Sequence, residues 1–98
     1  MRDLAVERLS TEELEALDLA RLRQAHFDVF AEMAALGRLV REQRLVVTDC
    51  KKAVRRDKND VEAACKLLDA QALFDNIRDR IRTLKELKTS IQTALKLP

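Results

Sequence analysis

The side chains best suited to chemistry are the single histidine and the two cysteines, because imidazole and thiolate groups serve as bases, nucleophiles and metal ligands. They are His26, Cys50 and Cys65. The cysteines form no CxxC spacing and have no histidine near them, so a zinc site is not indicated. Around His26 the sequence offers no constellation of serine, cysteine or carboxylate that could act with it. We predict a protein that is not an enzyme and that has no catalytic residue, metal, cofactor or small-molecule substrate.

A group of cations between positions 51 and 58 is the second chemical feature of the sequence. It consists of Lys51, Lys52, Arg55, Arg56 and Lys58. Phosphate groups are natural ligands of such a cluster. However, Asp49, Asp57 and Asp60 dilute its charge, and it contains no aromatic residue, Gly-rich loop or helix-turn-helix pattern. The cluster therefore has two interpretations, a phosphate-binding tip and a solvated helix end.

Two stripes of mainly apolar residues, spaced alternately by three and four positions, indicate the elements that position these groups. The first stripe contains Leu19, Leu22, His26, Val29, Met33, Leu36, Val40, Gln43 and Val47. The second contains Ala63, Leu67, Ala70, Phe74, Ile77, Ile81, Leu84, Lys88, Ile91 and Leu95. Such heptad spacing is typical of long α-helices that pack against another helix along a narrow seam.

Capping signals set the predicted ends of the helices. Ser10 and Glu13 have the spacing of a capping box, so helix one is predicted over 10–57, with 1–9 as an N-terminal arm or short helix. The turn is predicted at 57–60, where Asn59 or Asp60 caps helix two, predicted over 60–96. Residues 1–98 are thus expected to form one domain, an all-α antiparallel helical hairpin of coiled-coil type that oligomerises into a helical bundle.

The register of this hairpin follows from the stripes, because facing positions have numbers that sum to a near-constant value. The stripes pair at a sum of about 113 or 114, which puts the bend near the predicted turn. The register pairs His26 with Lys88 in one polar layer, which we interpret either as a pH-sensitive site or as a layer that fixes the register. It also brings Cys50 and Cys65 together near the bend, where reduced thiols are expected.

Apolar residues outside the stripes widen the hydrophobic surface of both helices. They include Phe27, Phe30, Ala31, Ala34, Leu73 and Leu87. A two-helix hairpin needs only its seam, so this surface must contact the N-terminal arm or another chain, unless it belongs to a broad intrachain core. We expect it to be an oligomer or partner interface.

Charge and hydropathy limit the partners. The formal net charge of +2 does not by itself imply nucleic acid, but residues 1–20 carry six acidic and two basic side chains, so the rod is acidic at its open end and basic at its tip. No run of about 18 apolar residues indicates a membrane span, and no secretory signal is visible at the N-terminus. We therefore expect a cytoplasmic protein that has no membrane partner.

Two classes of function agree with these features. The first is a non-enzymatic assembly or adaptor protein that oligomerises, or binds a helical protein partner, through helix packing. The second is a nucleic-acid-binding oligomer that uses the basic hairpin tip, as a phage-type DNA-packaging (terminase) small subunit would. The mass in solution, measured with and without DNA, distinguishes these two hypotheses.

Overall fold

Two long antiparallel helices make up most of the computed structural model, which describes residues 3–96. A 3-10 helix at Ala5–Arg8 and a short helix α1 at Thr11–Glu15 precede them. The long helices are α2, Leu19–Arg56, and α3, Val61–Ala94, and they pack against each other as a rod of 58 × 19 × 19 Å. Residues 3–96 contain no strand. The predicted all-α helical hairpin is therefore confirmed.

The N-terminal part of the hairpin differs from the predicted helix over 10–57, because the chain leaves the helix between α1 and α2. Ser10 caps α1 with the predicted capping box. The Asp18 carboxylate then accepts a hydrogen bond from the Arg21 N–H at 2.8 Å and begins a new helix. The break brings Leu14 into the core, whereas Leu19, the first residue of the predicted stripe, is 53% exposed. A helix continuous with α2 would place Glu12 and Glu15 in the seam instead of Leu14, and the break avoids burying these carboxylates.

Residues 57–60 form the turn between the long helices. The Asp57 carboxylate accepts a hydrogen bond from the Asn59 N–H at 3.0 Å. Asp60, rather than Asn59, caps α3 by accepting from the Ala63 N–H at 3.1 Å. At the other end of α3, Lys96 has a φ of 58°, the left-handed conformation that often follows a helix. Thus Asp60 satisfies a backbone donor that the first turn of α3 leaves free, and Asp57 satisfies one within the turn itself.

The core of the rod is the seam between α2 and α3. Its largest fully buried side chains are Val29, Leu36, Leu84 and Ile91. Gln43, a polar residue of the first stripe, donates from Nε2 to the backbone oxygen of Ala70 at 2.9 Å. This bond joins positions that the predicted register pairs, and it explains how an amide is accommodated in an apolar seam.

The N-terminal arm, residues 3–9, packs along the open end of the hairpin and adds a third layer there. Leu4 is buried in the same cluster as Leu14 and the seam residues. Arg80 of α3 holds Glu7 in a two-pronged ion pair in which Nη1 donates to Oε2 and Nη2 donates to Oε1. These hydrogen bonds lower the pKa of Glu7 against the opposite effect of burial. The predicted segments at residues 1–2 and 97–98 lie outside the described residues.

Candidate functional site

Two phenylalanines on α2 form the most exposed aromatic surface of the described chain. Phe27 is 67% exposed and Phe30 is 58% exposed. Ala31 and Ala34, one helical turn further on, are also exposed. We call these four residues the Phe patch. Side chains as large as phenylalanine are usually buried in a folded chain, so an exposed pair on a rigid helix is a candidate contact surface.

The Phe patch lies on the side of the hairpin away from the N-terminal arm. Ala25 is buried and lines the cleft beneath the arm, and Phe27 follows it by two positions, a rotation of about 200° around α2. Lys88 of α3 reaches the same side as the patch, because its Nζ lies 5.5 Å from the centre of the Phe30 ring. We call this the patch side of the hairpin, and the opposite one the arm side.

The structure does not place Leu73 and Leu87 beside the Phe patch, although the sequence grouped them with it. Leu87 is half-buried and packs against the core cluster that contains Leu4 and Leu14. It follows Arg80, the partner of Glu7, by one heptad, so both side chains lie on the arm side. Leu73 precedes Arg80 by one heptad and shares that side, where it is exposed. The six predicted interface residues therefore divide between two sides.

A cleft of about 430 Å³ opens on the arm side, between the arm and α2. Its walls are mostly apolar and include Leu4, Ala5, Val6, Leu9, Leu17 and Ala25, with Asp3, Arg21, Gln24 and Asp28 around them. Ala5 is exposed and Val6, Leu9 and Leu17 are half-buried, so the cleft is accessible to another molecule. No sequence pattern predicts this cleft, because it depends on how the arm folds back on the hairpin.

The two sides of the hairpin carry unequal charge when each charged residue is assigned to a side by its heptad position. The patch side carries ten cations and one carboxylate, Asp75, and Asp79 next to this side lies 3.3 Å from Arg82; the cations are Arg23, Arg41, Arg44, Lys51, Arg55, Arg78, Arg82, Lys85, Lys88 and Lys96. Arg44 and Arg78 lie over the Phe74 ring, 5.9 and 5.7 Å from its centre. On the arm side, α2 and α3 contribute the carboxylates Asp28, Glu32, Glu42, Asp49, Glu62 and Asp69 against the cations Arg21, Arg56, Lys66 and Arg80.

All five residues of the predicted phosphate-binding tip are exposed. In the part of the chain that the structure describes, none of its five cations, Lys51, Lys52, Arg55, Arg56 and Lys58, makes an ion pair within 4 Å. Asp57 and Asp60, which the sequence analysis expected to dilute the cluster, accept backbone hydrogen bonds in the turn. Arg55 and Arg56 also occupy the last turn of α2, where cations stabilise the negative end of the helix dipole. Arg55 and Arg56 thus stabilise the end of α2, and the cations of the tip also form a positive surface that a ligand can reach.

His26 and Lys88 share a layer of the seam without a direct bond. The Lys88 ammonium extends to the Phe30 ring, and the buried Nε2 of His26 has no hydrogen-bond partner among residues 3–96. Lys88 thus keeps its charge at the surface while its stem packs in the seam. The pH-sensitive and register interpretations of this layer both stay predictions.

The two cysteines do not face each other as the register predicted. Both are free; Cys50 is half-buried and lines a depression with Ala63 and Lys66, whereas Cys65 is exposed. Cys65 follows the buried Ala63 by two positions, a rotation of about 200°, so its side chain points away from α2. The expectation failed because a register fixes the level of a residue along the rod and not the direction of its side chain.

Over positions 3–96 no three His, Cys, Asp or Glu side chains come together so that they could hold a metal ion. No helix in the same range has the length and apolar character needed to cross a bilayer. Comparisons of the chain with models of protein families, with curated proteins and with solved structures found no match.

Proposed function

We propose that this protein is a non-enzymatic assembly module whose copies associate through the Phe patch. The exposure of Phe27 and Phe30 on a rigid helix is the observation that supports this proposal. The hairpin does not need these rings, because its own seam already buries Val29, Leu36, Leu84 and Ile91. Two phenylalanines that do not stabilise the isolated chain are best explained by a contact with a second copy.

The energetics show what such a contact requires. Burial of a whole phenylalanine side chain contributes about 1.5–3 kcal/mol, so the exposed parts of Phe27 and Phe30 offer roughly 1–2 kcal/mol each. Association costs on the order of 4–15 kcal/mol in lost freedom of motion. The two rings are therefore anchors within a larger interface, to which the cations of the patch side and the alanines of the Phe patch also contribute.

Light scattering on a paired set of variants tests this function. Phe27→Ser/Phe30→Ser should reduce the mass in solution to that of one chain, with the helical circular dichroism signal unchanged, because neither ring belongs to the core. Leu45→Ser/Leu68→Ser is the matched control, since Leu45 and Leu68 are similarly exposed apolar residues away from the Phe patch. If both double variants keep the wild-type mass, association through the Phe patch is wrong. Loss of helicity in the first variant would instead identify the rings as core.

A second candidate function is nucleic-acid binding by the basic tip. It is favoured by the five exposed cations that make no ion pair within the described chain. Self-association would repeat the tip, and each copy would add its own phosphate contacts. The absence of an exposed aromatic side chain at the tip favours the phosphate backbone of a duplex over unpaired bases.

Gel retardation of duplex DNA over a range of salt tests the tip. With about three phosphate contacts per copy and a slope near 0.9 per contact, a fourfold rise in salt should weaken each copy's binding roughly fortyfold. Lys52→Glu/Arg55→Glu/Arg56→Glu should abolish binding, whereas Arg8→Glu/Arg38→Glu/Lys96→Glu, which changes the charge equally at exposed positions away from the tip, should weaken it much less. Absence of retardation of the wild-type protein at about 50 mM salt excludes this candidate.

A further inference from the structure

We propose that the Phe patch of one copy inserts into the arm cleft of the next, so that the chains associate head to tail. The inference depends on the proposed self-association and identifies the surface that receives the two rings. Three observations carry it: the relative position of patch and cleft, the apolar character of both, and their opposite charges.

The positions of the two surfaces exclude contact within one chain. The α2 residues that line the cleft span positions 21–28, and Phe27 and Phe30 lie at nearly the same level of the same helix. Phe30 follows Asp28, a cleft residue, by two positions, a rotation of about 200° around the helix. Opposite sides of one rigid helix cannot contact each other, so only another copy can fill the cleft with these rings.

The cleft and the patch are complementary in polarity. At about 430 Å³ the cleft lies within the range in which proteins accommodate apolar groups, and its floor is made of leucine, valine and alanine side chains. Exposed phenylalanines are the largest apolar groups that the outer surface of α2 offers. Insertion would remove apolar surface from water on both copies at once.

The charges around the two surfaces have opposite signs. Beside the Phe patch lie Arg23, Lys85 and Lys88, with no carboxylate among the residues that share their side at this end of the rod. The cleft is lined by the carboxylates of Asp3 and Asp28 and by one cation, Arg21, and the adjoining residues 10–18 add four carboxylates and no cation. A symmetric contact between two Phe patches would bring like charges together, whereas the head-to-tail contact pairs cations with carboxylates. Charge therefore favours the cleft of a second copy as the partner of the patch.

This arrangement is a heterologous interface, in which each copy uses two different surfaces. Contacts of this kind produce rings when the rotation between copies closes and filaments when it does not. Each copy has one patch and one cleft, so a substitution that disables either surface prevents the next copy from binding there. This property makes the proposal testable by mixing two variants.

The experiment combines a chain without a patch and a chain without a cleft. Phe27→Ser/Phe30→Ser removes the patch and keeps the cleft. Ala5→Arg puts a cation into the cleft and leaves the patch on α2 unchanged, and Ala5 is exposed, so the fold should persist. The matched control is Ala72→Arg, which adds one arginine at an exposed position of α3 outside both surfaces. Masses are measured by light scattering for each variant alone and for equimolar mixtures, with circular dichroism as a check of helicity.

We expect each patch or cleft variant alone to have the mass of one chain, and their mixture to have the mass of two. The control variant should keep the wild-type mass. If Ala5→Arg associates like the wild type, the cleft is not the partner and this inference is wrong, although the Phe patch would still be an interface. A mixture that stays monomeric also overturns the inference. A monomeric wild-type protein would overturn the proposed function itself.

Discussion

The ion pair between Glu7 and Arg80 is expected to fix the N-terminal arm, and Glu7→Gln removes its charge with little change of shape. The two side chains are 19% and 13% exposed, so solvent screens their interaction only in part. Charge-assisted hydrogen bonds contribute about 1.5–3 kcal/mol, and glutamine can retain part of this, so docking of the arm should weaken by about 1–2 kcal/mol. Asp3→Asn is the control, because Asp3 is 88% exposed and 3.9 Å from Arg80, and it should cost less than about 0.5 kcal/mol.

Amide hydrogen exchange measures this effect in the arm itself. The Glu7 and Leu9 amides donate hydrogen bonds within the arm, and their protection should fall roughly 5- to 30-fold in Glu7→Gln at neutral pH. Because Arg80 lowers the pKa of folded Glu7, the stabilisation is complete above the usual carboxyl pKa of 4.5 and is lost as the pH falls through the lower folded value. Wild type and variant should therefore converge in acid. A difference in protection that persists when Glu7 is fully protonated would refute this explanation.

Three further predictions follow from burial and geometry. Leu84→Ala should lower the free energy of unfolding by about 2–5 kcal/mol because Leu84 is fully buried, whereas Leu68→Ala should change it by less than about 0.5 kcal/mol; urea titration checks both, and equal costs would contradict the seam. Gly37→Ala should raise the free energy of unfolding by up to about 1 kcal/mol, since an added Cβ meets no atom within 4 Å; a decrease would indicate a close contact at that point. Cys65 should react with an alkylating reagent faster than Cys50, because Cys65 is exposed and Cys50 is half-buried; mass spectrometry of the labelled peptides would show the reverse order if the direction of Cys65 is wrong.

Periodic burial made the hairpin predictable from the sequence, because each long helix packs through one continuous seam. The bond between Gln43 and Ala70 falls in the predicted register even though one of its members is polar. The break before α2 was missed, although the sequence contained a sign of it. If the heptad of α2 is continued toward the N-terminus, the seam positions fall on Glu12 and Glu15, which do not belong in an apolar core.

The candidate site was only partly predictable. Exposure of Phe27 and Phe30 followed from their spacing relative to the stripe, because the direction of a side chain on a straight helix is set by residue number. The cleft and the pair between Glu7 and Arg80 depend on the path of the arm across the hairpin. No periodic pattern determines the path of the arm. Glu7 and Arg80 are far apart in the sequence, so no local motif indicates their ion pair. The side of Leu87, by contrast, could have been derived from its heptad position, which places it opposite the Phe patch.

The mass of the wild-type protein in solution, measured by light scattering over a series of concentrations, tests self-association most directly. At moderate ionic strength the protein should have a mass of at least two 11.2 kDa chains, and this mass should rise with concentration. It should fall when salt is added, because the charges around the patch and the cleft attract each other and are screened by ions. A mass of one chain at every concentration and every salt would contradict the assembly function.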